Sequence, residues 1–163
     1  YYKGNGRHHA TPINGVKTMG TTSLTHVKSG DATILTLYGQ YDGYPSGHGM
    51  DIFDLLRGSK LVNGLSGDSG EINGMSSLAV MLISGLCEKH EYTNKSGNFY
   101  IYKPDSNGYG EDYTYTLYDR RDEEFKLNDA VGRLFIKVES FDTVLYDGEF
   151  DKLDISKIER ESD

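Results

Sequence analysis

From Thr21 to Val27, and again over ATILTLYGQY, β-branched and aromatic residues dominate, and Ser29-Gly30-Asp31 separates the two runs as a turn. The pattern predicts an N-terminal β-hairpin whose second strand delivers the chain into YDGYPSGHG, Tyr41 to Gly49. Beyond this loop the period changes. Met50, Ile52, Phe53, Leu55 and Leu56, with Asp51 and Asp54 between them, predict a short amphipathic helix over Gly49 to Arg57, closed by Gly58. The following GSKLVNGLSGDSGEING is glycine-rich and reads as a long connection with weak local structure. Met75 to His90 reads as the main helix, with Ser76 or Ser77 near its start and Lys89 and His90 in the last turn, where cations suit the helix dipole. Its apolar residues Leu78, Ala79, Met81, Leu82, Ile83 and Leu86 cover more than one face, which predicts central packing.

The second half is written in short β-prone runs: NFYIYKP, DYTYTLYD, EEFKL, GRLFIKVESF and TVLYDGEF, separated by turn chemistry, as in an antiparallel meander. Within YTYTLY, alternation puts Tyr113, Tyr115 and Leu117 on one face and Thr114, Thr116 and Tyr118 on the other. The expected class is α+β: an N-terminal hairpin, one or two helices and a C-terminal meander. Residues 1–18 lack any apolar period and read as a flexible arm, 19–150 as a single α+β domain, and 151–163 as an acidic C-terminal tail, a frayed helix or uncovered.

A chain of 163 residues buries roughly 70% of the surface its unfolded form exposes, enough for a core without metal or disulfide staples. Cys87 is the only cysteine and lies in an apolar run, so it reads as a buried structural thiol. With 17 basic against 25 acidic residues, a net of -8, and no run of lysine and arginine to track phosphates, nucleic acid is not an expected ligand. The longest apolar stretch, Leu78 to Leu86, is too short to span a bilayer, and no membrane association is expected. The opening YYKGNGRHHATPINGVKT has neither the apolar core of a signal peptide nor the arginine bias of a transit peptide, and Met19 marks the expected start of the compact domain.

MGTTSL, the strand ending in Tyr38 to Tyr41, the DGYP tetrapeptide, the GxG and helix after it, and the later EDYTYTLYD together resemble a group of small phage and bacterial proteins without an assigned reaction. Its members carry a Met-Gly-Thr-Arg-Ser-like strand, a His-Trp-Asp-Gly-Tyr-Pro-like loop and a tyrosine-rich strand. The resemblance covers Met19 to Arg57 and Glu111 to Asp119; Thr22 stands where arginine is usual, and Gln40-Tyr41 where His-Trp is usual. It implies an accessory protein of the host cytoplasm or of a virion.

Two readings of the loop follow from its residues. Asp-Gly supplies a position that tolerates positive φ, Tyr-Pro favours an extended Tyr44, and Gly47 and Gly49 permit close backbone approach, so the loop is a turn whose Asp42 carboxylate satisfies local amides. Alternatively, the first amides of the following helix receive an anion, with His48 beside it and Tyr41 and Tyr44 as walls, in a pocket for a small phosphorylated ligand. The candidate ligand-binding residues are Tyr41, Asp42, Gly43, Tyr44 and His48. GDSG at 67–70 lacks the context of a protease nucleophile, and His8, His9, His26, His48 and His90 lack metal-ligand spacing. Asp42, His48, Asp51 and Asp54 form the best acid-histidine cluster, Asn94-Lys95-Ser96 is a formal glycosylation triplet, and the thirteen tyrosines suit a contact surface.

These readings lead to three expectations. The first is a non-enzymatic phage-type accessory protein that binds a host protein or a small phosphorylated ligand, with host-defence antagonism as one form. The second is a virion or assembly protein that contacts neighbouring subunits through the N-terminal arm, and the third is a small hydrolase working through Asp42 and His48. No cofactor or metal is expected.

Overall fold

A computed structural model describes residues 20–64, 68–89, 99–104, 106, 108, 110–120, 131–141 and 143–162. The expected arm at 1–18, the EEFKL run, His90 and the triplet at 94–96 lie outside the described residues. In chain order the elements are β1 (Ser23–Ser29), β2 (Ala32–Gly39), a π-helical turn (Pro45–Gly49) running into α1 (Met50–Leu56), β3 (Lys60–Val62), β4 (Glu71–Asn73), α2 (Gly74–Lys89), β5 (Phe99–Tyr102), β6 (Tyr113–Arg120), β7 (Val131–Ser140), β8 (Thr143–Glu149), a 3-10 turn (Phe150–Lys152) and α3 (Ile155–Ser162). The result is a mixed α/β fold, mostly strands in one curled sheet with a few helices.

The sheet order is β4-β3-β7-β6-β1-β2-β5, with β8 also on β7. β1 pairs antiparallel with β2 on one side and parallel with β6 on the other. Side-chain alternation then aligns rows across strands. Val27 stands opposite Leu35 and Leu117, and Leu117 opposite Ile136; Thr25 stands opposite Leu37 and Tyr115, and Tyr115 opposite Val138. All of these side chains are buried, so one face of the sheet is the core face. α2 supplies the other half of the core with Met75, Leu78, Ala79, Leu82 and Leu86, a helical stripe in which each large side chain contributes about 1.5–3 kcal/mol on burial. α1 is tied to α2 by Lys89, whose ammonium pairs with Asp51 and lies 3.6 Å from Asp54. The hydrogen bond to Asp51 raises the pKa of Lys89.

Three expectations are corrected by the structure. The glycine-rich connection after α1 holds two three-residue strands, β3 and β4, which pair in parallel and extend the sheet beyond β7. The strands of the second half do not run as one meander: β5 pairs with β2, and β6 lies against β1, so β1 and β2 stand between them. Within the segment expected as a tail, 151–163, Leu153, Ile155 and Ile158 are not uncovered but are buried in the same cluster as Phe150 and the α2 residues. Their spacing turns one apolar stripe inward while the acids and lysines stay outside.

Candidate functional site

β2 ends at Gly39, and the chain turns through Tyr41–Tyr44 into the π-helical turn that starts α1. Gly43 is the pivot. Its N–H donates to the Thr21 carbonyl at 2.8 Å, its carbonyl accepts from the Tyr115 hydroxyl at 2.8 Å, and a Cβ placed on it would lie 2.6 Å from the Thr22 carbonyl carbon and oxygen. Glycine is therefore required at 43 by close approach of backbone to backbone. The positive φ belongs to its neighbour instead: Asp42 sits at φ 55, a region that aspartate tolerates better than most residues. Gly47 is packed similarly, its missing side chain replaced by the Asp42 carbonyl oxygen.

His48 points inward. Its residue is 3% exposed, Nε2 lies 2.7 Å from Thr25 Oγ1 on β1, and its ring packs 5.4 Å from both Phe99 of β5 and Tyr115 of β6. The imidazole is an internal strut that joins the loop to three strands. Tyr115 is the second strut, and its burial pushes the phenol pKa far above the ordinary value.

The outer side of the loop is different. Tyr41 is 44% exposed and Tyr44 37%, with the Tyr44 hydroxyl 3.4 Å from Asp42 Oδ1. The Asp42 charge, opposing a second negative charge beside it, raises the Tyr44 pKa. Tyr41, Asp42 and Tyr44 thus share the surface while Gly43 and His48 are buried, and the five candidates do not converge on one point. Asp42 and His48 meet through the backbone, where His48 N–H donates to the Asp42 carbonyl at 2.8 Å, and not through their side chains. Asp51 and Asp54 face Lys89.

An anion finds no vacant donor in this turn. Ser46 N–H donates to Glu159 Oε1 of α3 at 3.0 Å; Gly47 and Gly49 N–H donate to the Tyr44 carbonyl, His48 to Asp42, and Pro45 has none. At Ser46 the place of the expected anion is taken by a carboxylate of the chain itself, that of Glu159. Among the described residues no group of three His, Cys, Asp or Glu is placed to hold a metal ion, and no helix is long and apolar enough to cross a membrane.

Exposed aromatic surface continues from the loop onto the β2–β5 border. The Tyr38 ring is stacked on Tyr102, with centroids 5.2 Å apart and planes at 2°, and lies 6.0 Å from Tyr100. Tyr100 is 52% exposed and its hydroxyl reaches Gln40 Oε1 at 3.5 Å; Ile101, on the opposite face of the strand, is 68% exposed. Partial burial raises the Tyr38 pKa first, and the nearby phenols of Tyr102, Tyr100 and Tyr41 and the Glu111 carboxylate raise it further. Same-face alternation in NFYIYKP marked Tyr100 and Tyr102 in the sequence, but their meeting with Tyr38 depends on a strand pairing between residues about sixty positions apart. A cleft of about 230 Å³ also opens where β3 and β8 abut β7, but its charges answer one another: Arg133 lies 3.7 Å and Lys152 3.0 Å from Glu149.

No protein family, curated protein or solved structure matches this chain.

Proposed function

We propose that the chain is a non-enzymatic accessory protein, of the phage type that its sequence resembles, and that it acts by holding a protein partner against Tyr38, Tyr41, Tyr44, Tyr100 and Tyr102. Antagonism of a host defence protein in the host cytoplasm is the concrete form of this reading. One observation carries it: the loop turns its histidine and glycine inward as anchors and leaves its tyrosines and Asp42 outward, continuous with the β2–β5 tyrosines. Tyrosine combines apolar area with a hydrogen-bonding tip at low entropic cost, which suits a protein contact. A protein partner is favoured over a small phosphorylated ligand because the amides of the turn are already engaged, Ser46 by Glu159. Hydrolysis is disfavoured by the separation of the Asp42 and His48 side chains.

A second reading, a virion or assembly protein, draws on one observation. The Gly20 backbone lies against the Tyr41 ring, where a Cβ would sit 2.9 Å from Cδ1, so the first described residue stands beside these tyrosines. A photo-crosslinking amino acid at Tyr100, and at exposed Val80 of α2 as control, separates the readings. A discrete adduct with a host protein from position 100 but not 80 is the expected result. A self-adduct from position 100 selects the assembly reading. Turnover of a substrate by the purified chain, abolished by Asp42→Ala or His48→Ala, overturns both.

A further inference from the structure

The loop end of the sheet, where the outward tyrosines lie, carries acidic side chains from the loop, from the residue before β6 and from α3. Asp42 meets the Tyr44 hydroxyl, Asp112 accepts from the Thr22 N–H beside the loop, and Glu159 of α3 accepts from the Ser46 N–H, whereas Asp31 and Asp119 lie at the far end of β1, β2 and β6 and Asp51 and Asp54 face Lys89. Arg120 and Arg133 stand opposite each other at the far end of β6 and β7, whereas Lys103 directly follows β5 and Lys157 lies on α3. The carboxylates of Asp42 and Asp112 therefore lie at the same end of the sheet as the exposed aromatic rings. β5 forms the end of the sheet on this side, and among the described residues no strand pairs with its outer edge.

Resting on the reading of these tyrosines as a protein-binding surface, we infer that the partner presents a basic, extended segment, which lies along the outer edge of β5 with arginine or lysine side chains over Tyr41, Tyr44 and Tyr100. Three elements of recognition coincide here. An edge strand offers main-chain donors and acceptors to an added strand. Exposed ring faces attract cations, arginine above all. Asp42, hydrogen-bonded to Tyr44 at the rim, adds a carboxylate within the same patch. An acidic segment meets the same field as repulsion, which excludes wrong partners as well as steering the right one.

The test uses the full chain and three fluorescein-labelled decapeptides, alternating threonine with arginine, glutamine or glutamate, followed by fluorescence anisotropy at 50 and 150 mM salt. The arginine peptide is expected to bind, and the other two to bind at least tenfold more weakly. Tyr41→Leu and Tyr100→Leu are each expected to weaken the arginine peptide about two- to fivefold, whereas Tyr100→Phe and the distant Asp151→Asn leave it unchanged. Circular dichroism melting confirms that the variants stay folded. Binding of the arginine peptide that ignores both leucine substitutions overturns the inference, since net charge alone then explains it. Equal binding of the glutamine or glutamate peptide, lost in the leucine variants, also overturns it while leaving the tyrosine surface as a protein-binding site. A dimer that excludes every peptide and dissociates in the leucine variants makes a second copy the occupant and overturns it too. Failure of all three peptides in a monomeric chain overturns the basic segment alone, because crosslinking from position 100 reports independently on whether a partner protein binds there.

Discussion

Replacing Tyr115 by phenylalanine removes one oxygen atom and tests whether the loop is anchored from within. That hydroxyl donates to the Gly43 carbonyl at 2.8 Å from a side chain with no measurable exposure, and the ring also flanks Gly49 and His48. Phenylalanine keeps the ring contacts, so the cavity is small and the main loss is the hydrogen bond. The Gly43 carbonyl is then left in a buried position with no donor, which costs about 1–3 kcal/mol. Taking the middle of that range and a urea m-value of about 2 kcal/mol/M, the unfolding midpoint falls by about 1 M with the slope unchanged. Urea titration followed by far-UV circular dichroism reads this directly, and Tyr118→Phe, whose hydroxyl meets Asp147 in an exposed position, serves as the control with a change under about 0.5 kcal/mol. A midpoint for Tyr115→Phe within about 0.2 M of the parent would mean that Gly43 is not held through this bond, and the account of the loop as an internally anchored platform would fail.

Gly43→Ala and Gly47→Ala, which force a methyl group against backbone atoms, are expected to destabilise by about 2–4 kcal/mol in thermal melts, whereas Gly30→Ala, with open space around it, costs only the strain of its positive φ, about 1–2 kcal/mol. Ile158→Ala in α3 is expected to cost about 2–4 kcal/mol by urea titration, a value that an uncovered tail would not produce. On the alkaline side, burial and the Asp147 carboxylate raise Tyr118 to about 12. The unfolded phenol loses its proton near pH 10 while the folded one retains it, so the stabilisation is complete below pH 10 and is lost between about 10 and 12. Urea midpoints across that window are expected to fall less steeply in Tyr118→Phe than in the parent, and equal slopes would contradict the assignment.

The strand-rich mixed character was legible because it is written locally. β-branched and aromatic runs mark β1, β2, β6 and β7, and the Leu78–Leu82–Leu86 stripe marks α2. What was not legible is non-local. Nothing in NFYIYKP states that it pairs with Thr36–Gly39 rather than with the strand that follows it, because pairing is decided by the whole sheet. β3 and β4 are too short for a period of two to emerge from a glycine-rich stretch. The C-terminal segment did carry a signal: Phe150, Leu153, Ile155 and Ile158 recur at intervals of two or three, and the surrounding acids masked it. In the loop, DGYPSGHG identified itself as a turn with tight glycines, but the rotation of the π-helical turn decides that His48 faces inward and Tyr44 outward, and no residue type encodes that rotation.

The inward histidine matters to binding as much as to stability. A contact loop that is ordered only on encounter loses roughly 0.5–1.5 kcal/mol for each side chain it immobilises, which subtracts from affinity. Here the backbone of the loop is already fixed from below by Thr25 through His48, by Tyr115 through Gly43, by Thr21 through the Gly43 amide, and from the side by Glu159 through Ser46. Tyr38 and Tyr102 are likewise stacked before any partner arrives. Glu159→Gln isolates this effect. It keeps an oxygen for Ser46 but removes the charge, so the side anchor weakens while the tyrosines, the histidine and the glycines stay in place. If the outward tyrosines work as a pre-formed surface, this substitution lowers partner affinity by a faster off-rate with little change in thermal stability; an unchanged off-rate would show that the two inner struts alone define the surface.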